Sequence, residues 1–287
     1  MTETRQREAD VGTAVQHFII TRFNLRLRGI GADKRGREVL TRSWLDERLD
    51  LFERYCLPSV VHQTEHRFTW LLLMNEDTDL DVRERIEGYR ARMDGLEVAY
   101  LPPVSDDADL AVPARERLRE ETRVVVTTRL DNDDALHEEA LAEIRRRVRG
   151  RREFLNLRLG FLTDGRRARV ISHKYGSFAT FIEPRSAEPV LTVYCGSHGR
   201  MRRIAPVRQI AGRPLWLRVI HARNVANAGF DEPRHFDFRT PRGIHRWFRR
   251  RVVGRVRRWT WPAAHRREYR LDEIAGAFHV GEIPAGR

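Results

Sequence analysis

Two rhythms of hydrophobic and polar residues alternate along the first half of the chain. Short apolar runs, His17-Phe18-Ile19-Ile20-Thr21, Phe68–Met74, Leu96–Leu101 and Val124–Thr128, are separated by stretches in which apolar residues recur every three or four positions. The first pattern predicts buried strands and the second predicts helices. Trp44, Leu45, Leu49, Phe52, Tyr55 and Cys56 follow helical spacing, with Ser43 as the expected cap and Pro58 as an expected kink. Further helices are expected over 81–93, 113–121 and 135–149. Strands alternating with helices in this way predict a parallel sheet covered on both faces.

Beyond Arg149 the rhythm changes. Phe154–Leu162, Ala168–His173, Ser177–Ile182 and Val190–Tyr194 are short strand candidates, separated by Asp164-Gly165, Tyr175-Gly176 and Glu183-Pro184 turns. Trp216–His221 is a last apolar segment, and 222–229 reads as loop or short helix. This half is expected to be mixed or antiparallel. The division expected is a flexible leader over 1–16, one α/β domain over 17–238 and a basic extension over 239–287.

The Val124 run ends in Asp131, Asp133 and Asp134, three carboxylates within four positions. Ligands of open α/β sheets bind beyond the carboxyl ends of the strands. Carboxylates this close repel one another unless a cation or a proton intervenes, so a divalent metal bridging to substrate phosphates accounts for all three. The plainer alternative is a turn with Asp134 capping the next helix. One acid would suffice for that.

Composition changes the picture only at the margins. The chain has 287 residues and a net charge of 54 − 41 = +13, which invites comparison with nucleic-acid-binding proteins. Only Lys34 and Lys174 are lysines, however, which leaves 52 arginines, and eight of these crowd into 242–258. That segment interleaves Trp247, Phe248, Val252, Val253, Val256 and Trp259 with guanidinium groups, the pattern of a helix lying on anionic lipid or packing its stripe on the domain. Cys56 and Cys195 stand far apart and predict neither a zinc knuckle nor a disulfide framework. With no apolar leader at the amino terminus and no run long enough to span a bilayer, the expected location is the cytoplasm, with a peripheral association at the inner face of the membrane.

Several separated motifs carry a family resemblance. Trp44-Leu45, Leu51-Phe52-Glu53-x-Tyr55-x-Leu57-Pro58-Ser59, Gln63-Thr64, Phe68-x-Trp70-Leu71, Thr128-Arg129-Leu130-Asp131-Asn132-Asp133-Asp134 and Trp216-Leu217-x-Val219-Ile220-His221-x-x-Asn224 resemble the rhamnosyltransferase family of bacteria over roughly 17–228. The resemblance implies the GT-A class of nucleotide-sugar glycosyltransferases, an α/β fold with a Rossmann-like nucleotide-binding half followed by a mixed acceptor half. It also implies a divalent cation, manganese or magnesium, on an acid-x-acid motif, with Asp133 as first ligand, Asp131 facing the ribose or the metal, Asp134 in support and His221 as a late ligand. Arg129 would reach the diphosphate or balance the acids. Thr21, Arg22 and Asp77, at the ends of the first two strands, are expected at the nucleotide, Asp77 alternatively capping a helix. His198, between two glycines, competes with Glu183 and Asp164 as the base that an inverting transfer requires. The implied donor is a nucleotide sugar such as dTDP-rhamnose, and the acceptor a glycan or lipid-linked sugar. Two other functions fit the sequence less well. An Asp-x-Asp phosphoryl transferase would place Thr where Ala135 stands, and nucleic-acid binding through the arginine segment would leave the acids unexplained.

Overall fold

The apolar runs need burial on both faces, and a seven-stranded sheet supplies it. The computed structural model describes residues 14–27, 40–186, 188–196, 200–221, 230 and 267–282. Its strands are β1 (Val15–Arg22), β2 (Arg26–Leu27), β3 (Thr69–Asn75), β4 (Leu96–Leu101), β5 (Val104–Ser105), β6 (Val124–Arg129), β7 (Ala135–Leu136), β8 (Glu153–Leu157), β9 (Leu159–Thr163), β10 (Arg167–Ser172), β11 (Ala179–Pro184), β12 (Val207–Ile210), β13 (Trp216–Val219) and β14 (Glu268–Arg270). The large sheet has the order β12-β8-β11-β6-β1-β3-β4, and β11 alone runs antiparallel to its neighbours. Phe18, Ile19, Ile20 and Trp70 to Met74 have no exposed surface, as expected for central parallel strands. Ile20 of β1 lies opposite Arg129 of β6, so the carboxyl ends of the two strands emerge side by side.

The predicted helix after Trp44 is a continuous unit of three parts. Arg42–Leu51 is α-helical, Phe52–Cys56 forms a π-turn, and Leu57–Val61 resumes the α-helix. Thr41, not Ser43, caps it, its Oγ1 accepting from the Trp44 N–H at 3.3 Å. Pro58 has no N–H to offer the Arg54 carbonyl, which instead accepts from the N–H of Gly281 at 2.8 Å.

A second sheet, β14-β10-β9-β13-β7, packs beside the first. Trp216 joins the two: it is fully buried, stacks on Phe178 at 4.3 Å and donates its indole N–H to the Leu157 carbonyl at 2.8 Å. Gly160 on β9 makes room for that ring, since a β-carbon there would fall 2.0 Å from it.

Several expected elements differ. The helix expected over 135–149 is only Ala140–Arg145, because Ala135 and Leu136 pair with β13 first. Asp134 therefore precedes a strand and caps no helix. The helix expected over 113–121 stops at Glu116. Val190–Tyr194 is loop, with Thr192 at φ +64°, and the N–H groups of Leu191 and Thr192 donate to Glu183 rather than to a neighbouring strand. The extension expected from 239 onward returns to the domain: β14 pairs with β10, and Phe278 is buried. The leader expected through 16 already contributes Val15 and Gln16 to β1. The arginine segment 242–259 and the expected loop 222–229 lie outside the described residues. Among the described residues no helix is long and apolar enough to cross a membrane.

Candidate active site

At the end of β6 the chain turns sharply, with the Asp134 N–H donating to the Asp131 carbonyl at 3.1 Å. The four successive polar side chains 131–134 then differ in their partners, with Arg48 shared by the middle two. Asp131 lies against the ends of β1 and β6. Arg129 binds both its oxygens, Nε to Oδ1 at 3.0 Å and Nη2 to Oδ2 at 2.9 Å, and Arg22 Nη2 approaches Oδ1 at 3.8 Å. Burial alone would push this carboxyl up, but the Arg129 and Arg22 guanidiniums outweigh it and hold Asp131 below the usual carboxylate range. Both guanidiniums also lie over the Tyr194 ring, at 5.1 Å for Arg22 and 5.6 Å for Arg129.

Asn132 turns inward. Its amide donates to the Phe23 carbonyl at 2.8 Å, and its Oδ1 accepts from Arg48 at 3.2 Å. Arg48 continues to Asp133, with Nη1 at 2.5 Å from Oδ2, and His221 Nε2 reaches the same oxygen at 2.9 Å. The other nitrogen of His221 faces Glu47 Oε1 at 3.5 Å. Burial opposes the charge on Asp133, yet Arg48 and then His221 overcome it and depress the carboxyl strongly. Asp134 has the opposite fate. Its side chain is 5 % exposed, its Oδ1 accepts from the Val219 N–H at 3.1 Å, and Arg218 stands 3.8 Å away. Burial first, and then the Asp133 charge, push the Asp134 carboxyl well above the usual range.

These contacts divide the expected metal ligands. Asp133 and His221 are brought together, an oxygen and an imidazole nitrogen of the kinds that hold divalent cations, with the Glu47 carboxylate behind the imidazole. Asp131 is doubly bonded to Arg129, and Asp134 is turned to β13. The expected ligands thus face three different surroundings, and only Asp133 is bonded to His221.

The remaining expected residues fall in three groups. Arg22 and Arg129 stand at the site, and Asp77 is exposed in the turn after β3, its N–H donating to Asn75 Oδ1 at 2.8 Å. It caps no helix, since the helix Leu80–Arg90 begins after Asp79. Three others are engaged elsewhere. Thr21 is fully buried and its Oγ1 accepts from the Trp70 indole N–H at 2.9 Å, so its side chain faces the core and not a nucleotide. Glu183 is buried opposite Val125, near the start of β6 and so toward the far edge of the sheet, where it clamps the 191–192 loop; burial pushes its carboxyl up. Asp164 organises the β9–β10 hairpin, accepting from the backbone N–H groups of Arg166 and Arg167 and from the Arg167 guanidinium. Both acids are thus engaged by backbone N–H groups of their own neighbourhood. His198 lies outside the described residues.

Sequence reasoning passed over Arg48, Glu47, Arg218 and Tyr194. Arg48 did leave a signal: it falls on the face of Trp44, Leu45, Leu49 and Phe52, and a charged residue inside an apolar stripe needs a buried partner. The guanidinium lies 4.9 Å over the Trp44 ring.

An acidic turn thus stands at the carboxyl ends of adjacent parallel strands, backed by a mixed sheet, where ligands of open α/β sheets bind. The family described as "Putative rhamnosyl transferase" matches residues 16–232, and the chain belongs to it. The sequence resemblance to a glycosyltransferase family is thereby met. No curated protein matches the chain. Among solved structures, a TarS fragment from S. aureus is similar at 13% identity and TM-score 0.41, over 71% of this chain and 60% of that one. The same fragment in complex with UDP gives 12% and 0.39 over the same shares. A complex of Rv0371C with manganese, from Mycobacterium tuberculosis H37Rv, gives 18% and 0.31, over 81% of this chain and 97% of that one. The chain thus spans 60% of the TarS fragment, and superpositions this loose say nothing about individual residues.

Proposed function

We propose that this chain transfers a sugar, rhamnose by its family, from a nucleoside diphosphate to a hydroxyl of a glycan or lipid-linked acceptor, with inversion at the anomeric carbon. The observation that carries this reading is Asp133, held between Arg48 and His221 at the carboxyl ends of β1 and β6. As the acceptor oxygen bonds to the anomeric carbon, the bond to the diphosphate breaks and negative charge gathers on the departing oxygen. A manganese or magnesium ion on Asp133 and His221 would neutralise that charge as a Lewis acid. Arg22 and Arg129 would pair with phosphate, and their contacts with the Tyr194 ring support this reading. Arg48 holds Asp133 in its ionised form and fixes the turn through Asn132. With Glu183 and Asp164 engaged elsewhere, His198 is the remaining candidate to take the acceptor proton.

Hydrolysis of a panel of nucleotide sugars, with and without manganese, tests the reading. Metal-stimulated release of nucleoside diphosphate from one donor is expected; absence of turnover with every donor would refute it. We further propose that the arginine segment 242–258 attaches the enzyme reversibly to anionic membrane, each arginine near the surface contributing about 1 kcal/mol. Because residues 268–282 belong to the fold, the suitable perturbation is replacement of these arginines by glutamine rather than truncation. Sedimentation with anionic vesicles should then be lost, and unchanged sedimentation would remove the anchor.

A further inference from the structure

The loop between β10 and β11 lies on the same edge of the large sheet as the acidic turn. β11 runs antiparallel to β6 with Thr180 opposite Thr128, so the residues just before it, 173–178, stand beside the carboxyl end of β6. The loop is held from below. Buried Asn156 of β8 donates its amide to the His173 carbonyl at 2.8 Å and accepts from the Gly176 N–H at 3.0 Å. Gln209 of β12 donates to the Lys174 carbonyl at 2.9 Å. Further along, Ser177 Oγ accepts from the guanidinium of Arg218, which stands beside Asp134. Side-chain amides that fix a surface loop in this way keep its own side chains in one place.

The side chains so placed are Lys174 and Tyr175. Tyr175 is half-buried against the apolar cluster that also holds Tyr194, the ring beneath Arg22 and Arg129. Over the Tyr175 ring lie Lys174 Nζ at 5.9 Å and Arg202, from the short helix Met201–Ile204, at 5.4 Å. Both cations are exposed, and among the described residues neither forms an ion pair. Arg208 shows the contrast, bound to Glu153 at 2.6 Å. The surrounding chain has no carboxylate to offer, since residues 165–182 and 189–230 contain no acid. Two positive charges gathered on one ring repel each other, and an anion between them removes the repulsion.

We propose that Lys174 and Arg202 bind a phosphate group of the acceptor, so that the sugar is transferred to an anionic glycan or lipid-linked sugar and not to a neutral one. This rests on the sugar-transfer reading and adds the charge of its acceptor. An ammonium point charge and a guanidinium fork are both suited to phosphate oxygens. β8 stands two strands from β6, about 10 Å across the sheet, which sets this phosphate apart from the donor diphosphate at Arg22 and Arg129.

Titration of the full chain with inorganic phosphate, followed by backbone amide chemical shifts, tests the proposal without donor or metal. The amides of 173–176 and of Arg202 should respond as one set, resolved from any response at Arg22 and Arg129. The affinity read at that set should fall about three- to fivefold in each of Lys174→Gln and Arg202→Gln, the scale of one exposed charge pair. Arg166→Gln, at an exposed position before the opposite end of β10, should leave it unchanged. Glucose 6-phosphate and farnesyl phosphate, with glucose as neutral control, separate a charged glycan from a lipid-linked sugar as the source of the phosphate. No response at 173–176, or equal affinity in wild type, Lys174→Gln and Arg202→Gln, would overturn the inference. Donor hydrolysis is read separately. A chain that hydrolyses a nucleotide sugar but gives no response at the loop loses only this acceptor site; phosphate binding at the loop with no donor turned over removes the sugar-transfer reading and the acceptor assignment with it.

Discussion

Replacing Asp133 and Asp134 one at a time by asparagine separates two adjacent acids with opposite roles. Asp133 is ionised and faces Arg48 at 2.5 Å and His221 at 2.9 Å. In Asp133→Asn the guanidinium loses its charged partner in a site where only 11 % of either acid or imidazole side chain is exposed. Breaking a buried pair from one side costs about 3 kcal/mol. For a domain of this size that corresponds to a fall in Tm of roughly 6–12 °C, with the fold retained. Donor turnover should fall about a hundredfold or more, the scale for removing one group that stabilises developing charge. Asp134 is different because burial and its charged neighbour push its carboxyl well above the usual range, toward the neutral form, and asparagine copies a neutral carboxyl in shape and in the oxygen offered to the Val219 N–H. Asp134→Asn should therefore cost less than about 1 kcal/mol and leave metal-dependent turnover largely intact. Thermal melts and donor hydrolysis across a manganese series on the three proteins decide the matter. Equal losses of stability in the two variants would refute the contrast between the two acids, and wild-type turnover in Asp133→Asn at saturating metal and donor would refute its role in catalysis.

Three further outcomes follow from the packing. Gly160→Ala would set a β-carbon 2.0 Å from the Trp216 ring, which is stacked on Phe178 and cannot withdraw, so a loss of about 3 kcal/mol is expected together with displacement of the strand that delivers His221; an unchanged melting curve would show that the ring yields. His17 is buried, and burial followed by the Arg145 charge lowers it to about 3. The unfolded chain takes up a proton near pH 6.5 and the folded chain refuses it until about 3, so this residue's contribution to stability is lost as pH falls across that window, by up to about 1.4 kcal/mol per unit. Denaturant melts of wild type and His17→Gln should therefore converge toward acid, and parallel pH profiles would exclude the linkage. Glu183→Gln should lower stability by about 1 kcal/mol and leave turnover within about twofold, whereas loss of a catalytic base would remove a hundredfold or more.

The sequence by itself determined the strands that form the centre of the sheet, because β-branched and aliphatic runs such as Val124–Val126 have no stable place outside a doubly covered sheet. It likewise determined that three acids stand at the end of the last of these runs, and it carried the family motifs. Each of these facts is local in the chain. What each acid does was decided only by residues distant in sequence: Arg48 on a preceding helix, and Arg218 and His221 at the end of β13 more than eighty positions later. Asp131, Asp133 and Asp134 are chemically alike in sequence, and the opposite directions in which their carboxyls are shifted arise from which cation, N–H group or apolar wall the fold sets against each. The same reason removed Thr21 and Glu183 from the site. Their side chains satisfy a buried indole and a strained loop, needs that arise only once the chain has packed. Ala135 and Leu136, helical by pattern, became a strand because β13 offers its edge there, and pairing of that kind is invisible to any periodicity read along one segment.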